Sequence, residues 1–242
     1  MKLLIVRHAD PDYSIDSLTE TGWKEAQLLA GRLEKLDIQA FYVSSMGRAR
    51  DTASLTLKAM GKEATVCDWL REFGPHFMKP YEKILHNAWD WLPEWWTTRE
   101  GNYNINTWAN WEQFQGLELA EKYRYVAENL DALLAKHGYV REGKIYRTEN
   151  ANEDTVVLVC HFGVECVLLS HLLGVSPMAL WHGTCALPSS VTTLVTEERR
   201  KGIASFRMLS FGDTSHLYVA DREPSFAGRF CEIYENFDQR HD

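Results

Sequence analysis

The sequence has no leader in which a charged start precedes a long apolar run. Its N-terminal apolar stretch, KLLIV, is far too short for a signal segment or a membrane span. A cytoplasmic protein without a membrane partner is expected. A basic surplus is also missing: 26 Lys and Arg face 34 Asp and Glu, for a net charge of −8. That balance excludes a broad electrostatic footprint for nucleic acid. It leaves room for a local arginine cluster that holds a small anion. Cysteines are few, odd in number and scattered, at Cys67, Cys160, Cys166, Cys185 and Cys231. A disulfide framework is thereby excluded, and buried free thiols in a reducing compartment are expected. Internal repeats, low-complexity tracts and clear linkers are absent too. A chain of 242 residues then reads as one domain, 1–242, that carries a sizeable insertion.

What is present is an alternation of apolar runs and helical periodicity. LLIVRH reads as a short buried strand that ends in a cation and an imidazole. A helix follows with Thr19 as its N-cap and Ala26, Leu29, Leu33 and Leu36 at helical spacing. AFYVSS reads as a strand, RARDTASLTLKAMG as a helix ended by Gly61, and ATVCDWL as a third strand. DTVVLVCHF is the clearest strand, and a helix that stops before Gly174 follows it. SSVTTLVTEE and SFRMLSFGD read as antiparallel strands joined across RRKG. The fold class implied is α/β, a mostly parallel sheet covered by helices on both faces.

Residues 75–150 interrupt this rhythm. They hold six of the nine tryptophans: Trp89, Trp91, Trp95, Trp96, Trp108 and Trp111. From about 108 to 136, Tyr123, Ala127, Leu130 and Leu134 carry helical spacing. This segment is read as a helical cap inserted between strands of the sheet. The tryptophans either pack the cap onto the sheet or line a pocket over the site, and both roles can hold together. The polar, aromatic tail 220–242 has no assigned place.

In open α/β sheets a ligand sits beyond the carboxyl ends of the strands. The strand ends here supply Arg7 and His8, Ser44 and Ser45 with Arg48 one turn on, Arg71 and Glu72, and His161 with Gly163. Two arginines can grip phosphate oxygens through forked hydrogen bonds. A neutral imidazole can attack phosphorus, and a carboxylic acid can protonate the leaving oxygen. The cations offset the charge of the transferring group, so neither metal nor cofactor is required.

The succession LLIVRHA, SLTETGWKEAQLLAGRL, YVSSMGRARDTA, LREF, VLVCHFGV and FGDTSHL resembles the histidine phosphatase superfamily, also called phosphoglycerate mutase-like. The match spans roughly 2–74 and 154–217, in the family's order. The resemblance implies His8 as nucleophile and Glu72 as proton donor, then as base for water. It implies Arg7, Arg48 and His161 as phosphoryl ligands. Ser14 stands where many members have a phosphate-touching Asn. The sequence departs from the pattern at Ala9, at Met46-Gly47, and at Phe73-Gly74-Pro75 after Glu72. Asp10 and Asp12 therefore stand as alternative acids.

The function expected is phosphomonoester hydrolysis through a phosphohistidine, of histidine acid/alkaline phosphatase type. The expected substrate is a small phosphorylated metabolite with an apolar or ring-shaped leaving group. Three alternatives stand beside it: a phosphoglycerate-type mutase, a metal-dependent phosphohydrolase built from HADPD with His161 and Glu165, and a non-catalytic phosphate-binding module. Cations near a dication weigh against the metal reading. No cysteine has an arginine six residues on, which excludes the cysteine-phosphatase loop. GYVREGK lacks the Ser or Thr of a nucleotide-binding loop and is read as a helix C-cap and turn.

Overall fold

The computed structural model describes residues 1–239; the last three positions of the expected 1–242 domain lie outside the described residues. Eight strands form one mixed sheet. They are β1 (Lys2–Arg7), β2 (Ile38–Ser44), β3 (Ala64–Cys67), β4 (Val140–Glu142), β5 (Ile145–Arg147), β6 (Thr155–Cys160), β7 (Val191–Arg200) and β8 (Ile203–Asp213). Their order across the sheet is β3-β2-β6-β1-β7-β8-β5-β4. The first four in that order run parallel to one another. From β7 onward each neighbour is antiparallel. All four parallel strands therefore deliver their carboxyl ends to one edge.

Side chains alternate across β1 and β6, as a sheet buried on both faces requires. Leu4, Val6, Val157 and Val159 face a layer that includes Leu29 and Leu33 of α1 (Glu20–Leu33) and Ala49 and Ala53 of α2 (Gly47–Met60). Leu3, Ile5, Val156 and Leu158 face the other layer, built on α3 (Leu119–Lys136), α4 (Phe162–Leu173) and α5 (Pro177–Gly183). The punctuation read from the sequence holds. Thr19 Oγ1 accepts from Gly22 N at 3.0 Å, and Gly61 and Gly174 close their helices in the left-handed region.

Residues 75–150 are less helical than their periodicity suggests. A hairpin pairs His76–Met78 with Leu85–Asn87, and three single 3₁₀ turns lie between Glu100 and Phe114. Only α3 is a long helix. The reason is aromatic packing: Trp91 lies 4.4 Å from Trp111 by ring centroids, and Trp108 packs edge-on against Phe114, Tyr123 and Trp181. Rings of this size set the path of the short turns. Positions 140–147 leave the insertion and extend the main sheet through β4 and β5. Gly138 and Gly143 take positive φ around this hairpin, which is where the GYVREGK motif sits.

Candidate active site

Four strand ends converge on one cleft of about 700 Å³. His8 follows β1 and is 2% exposed. Its Nδ1 lies 2.8 Å from the Ala9 carbonyl oxygen, which can only accept. The proton therefore sits on Nδ1 and Nε2 carries the lone pair. Arg48 Nε donates toward that Nε2 at 3.4 Å. Desolvation, then the charges of Arg7 and Arg48, hold the His8 pKa well below the usual imidazole value. The ring is thus neutral under ordinary conditions, the form in which an imidazole can act as a nucleophile.

His161 caps α4 and is fully buried. Its Nε2 pairs with Ser44 Oγ at 2.8 Å, which fixes the ring from the end of β2. Its Nδ1 is buried without a hydrogen-bond partner, and so is Arg7 Nε. The His8 and His161 ring centroids are 5.0 Å apart. Arg7 is anchored through Nη1 to the Ala186 carbonyl and lies over the Phe162 ring. Buried donors without partners are costly, and an anion seated between the two imidazoles and the two arginines would satisfy them.

Glu72 reaches the same cleft from the turn after β3. Its Oε1 accepts from Phe73 N at 2.8 Å and from Val164 N at 3.2 Å, at the amino end of α4. Those bonds and the nearby arginines favour the carboxylate, yet desolvation outweighs them and raises the pKa. The close approach depends on Gly163. A Cβ there would stand 2.5 Å from both Glu72 Oε1 and Trp89 Nε1.

Arg48 opens α2 and is aimed by Asp16, whose Oδ1 accepts from Arg48 Nη1 at 2.6 Å. Asp16 Oδ2 takes Gly47 N at 2.7 Å. An arginine held in this way keeps its guanidinium on His8 instead of in solvent.

Residues 3–208 match the histidine phosphatase superfamily (branch 1). The chain belongs to this superfamily. Two curated relatives are a probable phosphatase of Schizosaccharomyces pombe and an adenosylcobalamin/alpha-ribazole phosphatase of Escherichia coli. The first is 26% identical over 90% of this chain and 95% of its own length. The second is 22% identical over 75% of this chain and 84% of its own length. Among solved structures, a phosphoserine phosphatase mutant of Entamoeba histolytica in complex with phosphoserine shares the fold. It superposes with a TM-score of 0.59 at 19% identity, over 89% of this chain and 98% of that one.

The histidine phosphatase reading places Arg7, His8, Arg48, Glu72 and His161 together, and the structure brings these five to one place. It does not bring Ser14 there. Ser14 is exposed and donates through Oγ and N to Asp12 Oδ1, within a tight Asx-type turn. Asp10 and Asp12 are likewise occupied away from the cleft. Asp10 accepts from Thr19 Oγ1 and Ser225 Oγ, and Asp12 accepts from Ser14. Among the described residues no group of three or more His, Cys, Asp or Glu stands as a metal-ligand cluster. No helix among them is long and apolar enough to cross a membrane.

Two contributors were missed from sequence, and one of the cap tryptophans expected to pack the cap or line a pocket stands at the site. Asp16 meets Arg48 across a gap of 32 positions, with no local motif to announce it. Trp89 stands over Glu72 and Phe162. The tail, read as unplaced, runs through Ala227, Gly228, Arg229 and Phe230 along the cleft wall.

Proposed function

We propose that this histidine phosphatase hydrolyses a small phosphomonoester through a phosphohistidine on His8. The unprotonated Nε2 of His8, facing Arg48 Nε in a ring whose pKa is depressed, is the observation that carries the reading. The phosphoryl oxygens lie between Arg7, Arg48 and His161. Nε2 attacks phosphorus in line as the bond to the leaving oxygen breaks. Glu72, kept protonated by its raised pKa, gives its proton to that oxygen. Water then attacks phosphorus with Glu72 as base, the P–N bond breaks, and inorganic phosphate leaves. The arginines lie where negative charge accumulates in both steps, so the residues supply the stabilisation a metal would otherwise give.

The depressed His8 pKa supports the acid side of a histidine acid/alkaline-type assignment, since the imidazole stays deprotonated below its ordinary range. Five unpaired cysteines favour a reducing, cytoplasmic compartment. The segment 75–150 acts as the cap. Its Trp89, Trp91 and Trp96 line a second chamber of about 570 Å³ next to the phosphate site, which suits an apolar or ring-shaped leaving group.

The test is p-nitrophenyl phosphate hydrolysis in the presence of EDTA, with acid and alkaline quenches of the enzyme during turnover. Turnover is expected to continue in EDTA, with an alkali-stable, acid-labile phosphoenzyme that His8→Ala does not form. Activity that vanishes in EDTA and returns with metal would replace this mechanism by the metal-dependent one. A phosphoenzyme that passes its group to a second substrate instead of water would favour the mutase.

A further inference from the structure

The segment Ser225–Cys231 lies as a strap across both chambers of the cleft. Ser225 fixes one end: its N donates to Glu25 Oε1 at 3.1 Å, and its Oγ donates to Asp10 Oδ1. Cys185 Sγ donates to the Gly228 carbonyl at 3.5 Å and fixes the middle. Gly228 takes a φ of +85° and rests on Arg7; a Cβ there would run into the Arg7 guanidinium. The strap therefore touches the phosphate-binding arginine directly, and the next residue is Arg229.

Arg229 lines the phosphate chamber and the tryptophan chamber alike. Its guanidinium lies over the Phe226 ring at 4.4 Å, which sets its direction. Its Nε is enclosed and has no hydrogen-bond partner, and among the described residues it makes no ion pair. The other cation of the second chamber, Lys79, is spent on the Asp90 carbonyl and on the Trp91 ring. Among the described residues Arg229 is thus the cation at the junction of the two chambers that has neither an ion pair nor a partner for its Nε, and it is a fork suited to a planar anion.

We infer that Arg229 is a specificity-determining residue that pairs with a carboxylate on the leaving group of the substrate. This rests on the hydrolase reading above and narrows its substrate class to a phosphomonoester whose ring-bearing alcohol part carries one carboxylate. One such cation matches one negative charge. A second phosphate dianion would bring twice the charge into a chamber that Glu82 and Asp90 also line.

The test uses three aryl phosphates of nearly equal leaving-group acidity: 4-(carboxymethyl)phenyl phosphate, its neutral carboxamide isostere, and tyramine phosphate. The native enzyme is expected to favour the carboxylate over the carboxamide in kcat/KM by about tenfold or more, the scale of a charge-assisted pair. Arg229→Gln brings that ratio to about one, and Arg229→Glu inverts the order so that tyramine phosphate leads. A native ratio near one, or a preference that survives in Arg229→Gln, overturns the inference. So does an equal loss on all three substrates, which would place Arg229 on the phosphoryl group or in folding. Absence of turnover on every substrate by native enzyme strikes the hydrolase reading itself, and is thereby distinct from failure of the Arg229 assignment.

Discussion

Asp16 Oδ1 accepts a 2.6 Å hydrogen bond from Arg48 Nη1, and Arg48 Nε in turn faces His8 Nε2 at 3.4 Å. Asp16 is half-exposed, but its bonds from Gly47 and Arg48 outweigh desolvation and keep its pKa low. It stays ionised through the neutral range and holds the guanidinium on the imidazole. Asp16→Asn is expected to lower kcat/KM for p-nitrophenyl phosphate about tenfold or more, by loosening an oriented charge-assisted bond. The inhibition constant for inorganic phosphate should rise with it, because the proposed mechanism also puts Arg48 on the phosphoryl group. The melting temperature moves less than the activity, since Asp16 is half-exposed and Asn keeps an oxygen that can accept from Gly47 N. A fall in melting temperature with phosphate affinity unchanged would make Asp16 a folding residue instead.

As the proposed proton donor, Glu72 should separate leaving groups. A good leaving group such as p-nitrophenolate needs little protonation, whereas an alkoxide needs it fully. Glu72→Gln is expected to cost about 100-fold or more on an alkyl phosphate and far less on p-nitrophenyl phosphate. Its pKa is raised by desolvation, so the acid form persists above the usual carboxylate range and is lost only as pH climbs through the raised value. The native pH profile on the alkyl phosphate therefore falls on its alkaline side, and Glu72→Gln removes that limb. Equal losses on both substrates would return Asp10 or Asp12 to consideration.

The parallel half of the sheet and five of the six expected site residues could be read from sequence for one physical reason. Short apolar strands that end in Arg, His, Ser or Glu carry their own address, since the strand's carboxyl end is the ligand edge. Ser14 was misplaced because a motif position fixes where a residue stands in the chain, not which partner it takes. Asp12, two residues before it, captures its hydroxyl. Asp16 and Arg229 were invisible for the opposite reason. Asp16 meets Arg48 only across 32 positions, Arg229 reaches the cleft only through the path of the tail, and neither lies in a periodic segment. The cap's helical content was overread because tryptophans that pack against one another dictate turns that 3.6-residue spacing does not encode.

Gly163 offers a test of how tightly the acid is seated. Any side chain there must displace Glu72 Oε1 or the Trp89 indole, each 2.5 Å from the added carbon. Gly163→Ala is expected to destabilise the fold by about 1–3 kcal/mol, as overpacking does. It should also reduce turnover of the alkyl phosphate more than that of p-nitrophenyl phosphate, mirroring the loss of Glu72. Uniform losses across leaving groups, with a native pH profile, would show that the helix shifts as a unit and leaves the acid in place.

Trp96 and Trp95 are adjacent yet serve different surfaces. Trp96 lines the second chamber and stacks on His182 at 4.5 Å, whereas Trp95 packs on Tyr81 and Trp91 in the aromatic cluster. Trp96→Ala should therefore raise KM for aryl phosphates relative to methyl phosphate, with kcat for the chemical step retained. Trp95→Ala should lower the melting temperature without changing that ratio. Substrate panels and thermal melts on the two variants decide it, and identical effects would assign both rings to packing.

Glu165 sits one turn into α4, 1% exposed, with Thr192 beside its carboxyl but too poorly aligned for a well-formed hydrogen bond to either oxygen. Desolvation, with Glu72 nearby, pushes its pKa up to about 7 from an ordinary value of 4.5. The folded state therefore binds this proton more tightly than the unfolded chain does. Its contribution to stability is fully present below pH 4.5 and is lost as pH rises through 7. A shift of this size corresponds to roughly 3 kcal/mol once the group is ionised in both states. Glu165→Gln keeps the shape and removes the titration. Urea unfolding from pH 5 to 8.5 is expected to show native stability falling across neutrality while the Gln variant stays flatter. The variant should overtake the native protein above pH 7.5. Parallel slopes for the two proteins would mean that Glu165 keeps an ordinary pKa, with a hydrogen-bonding partner that offsets its burial.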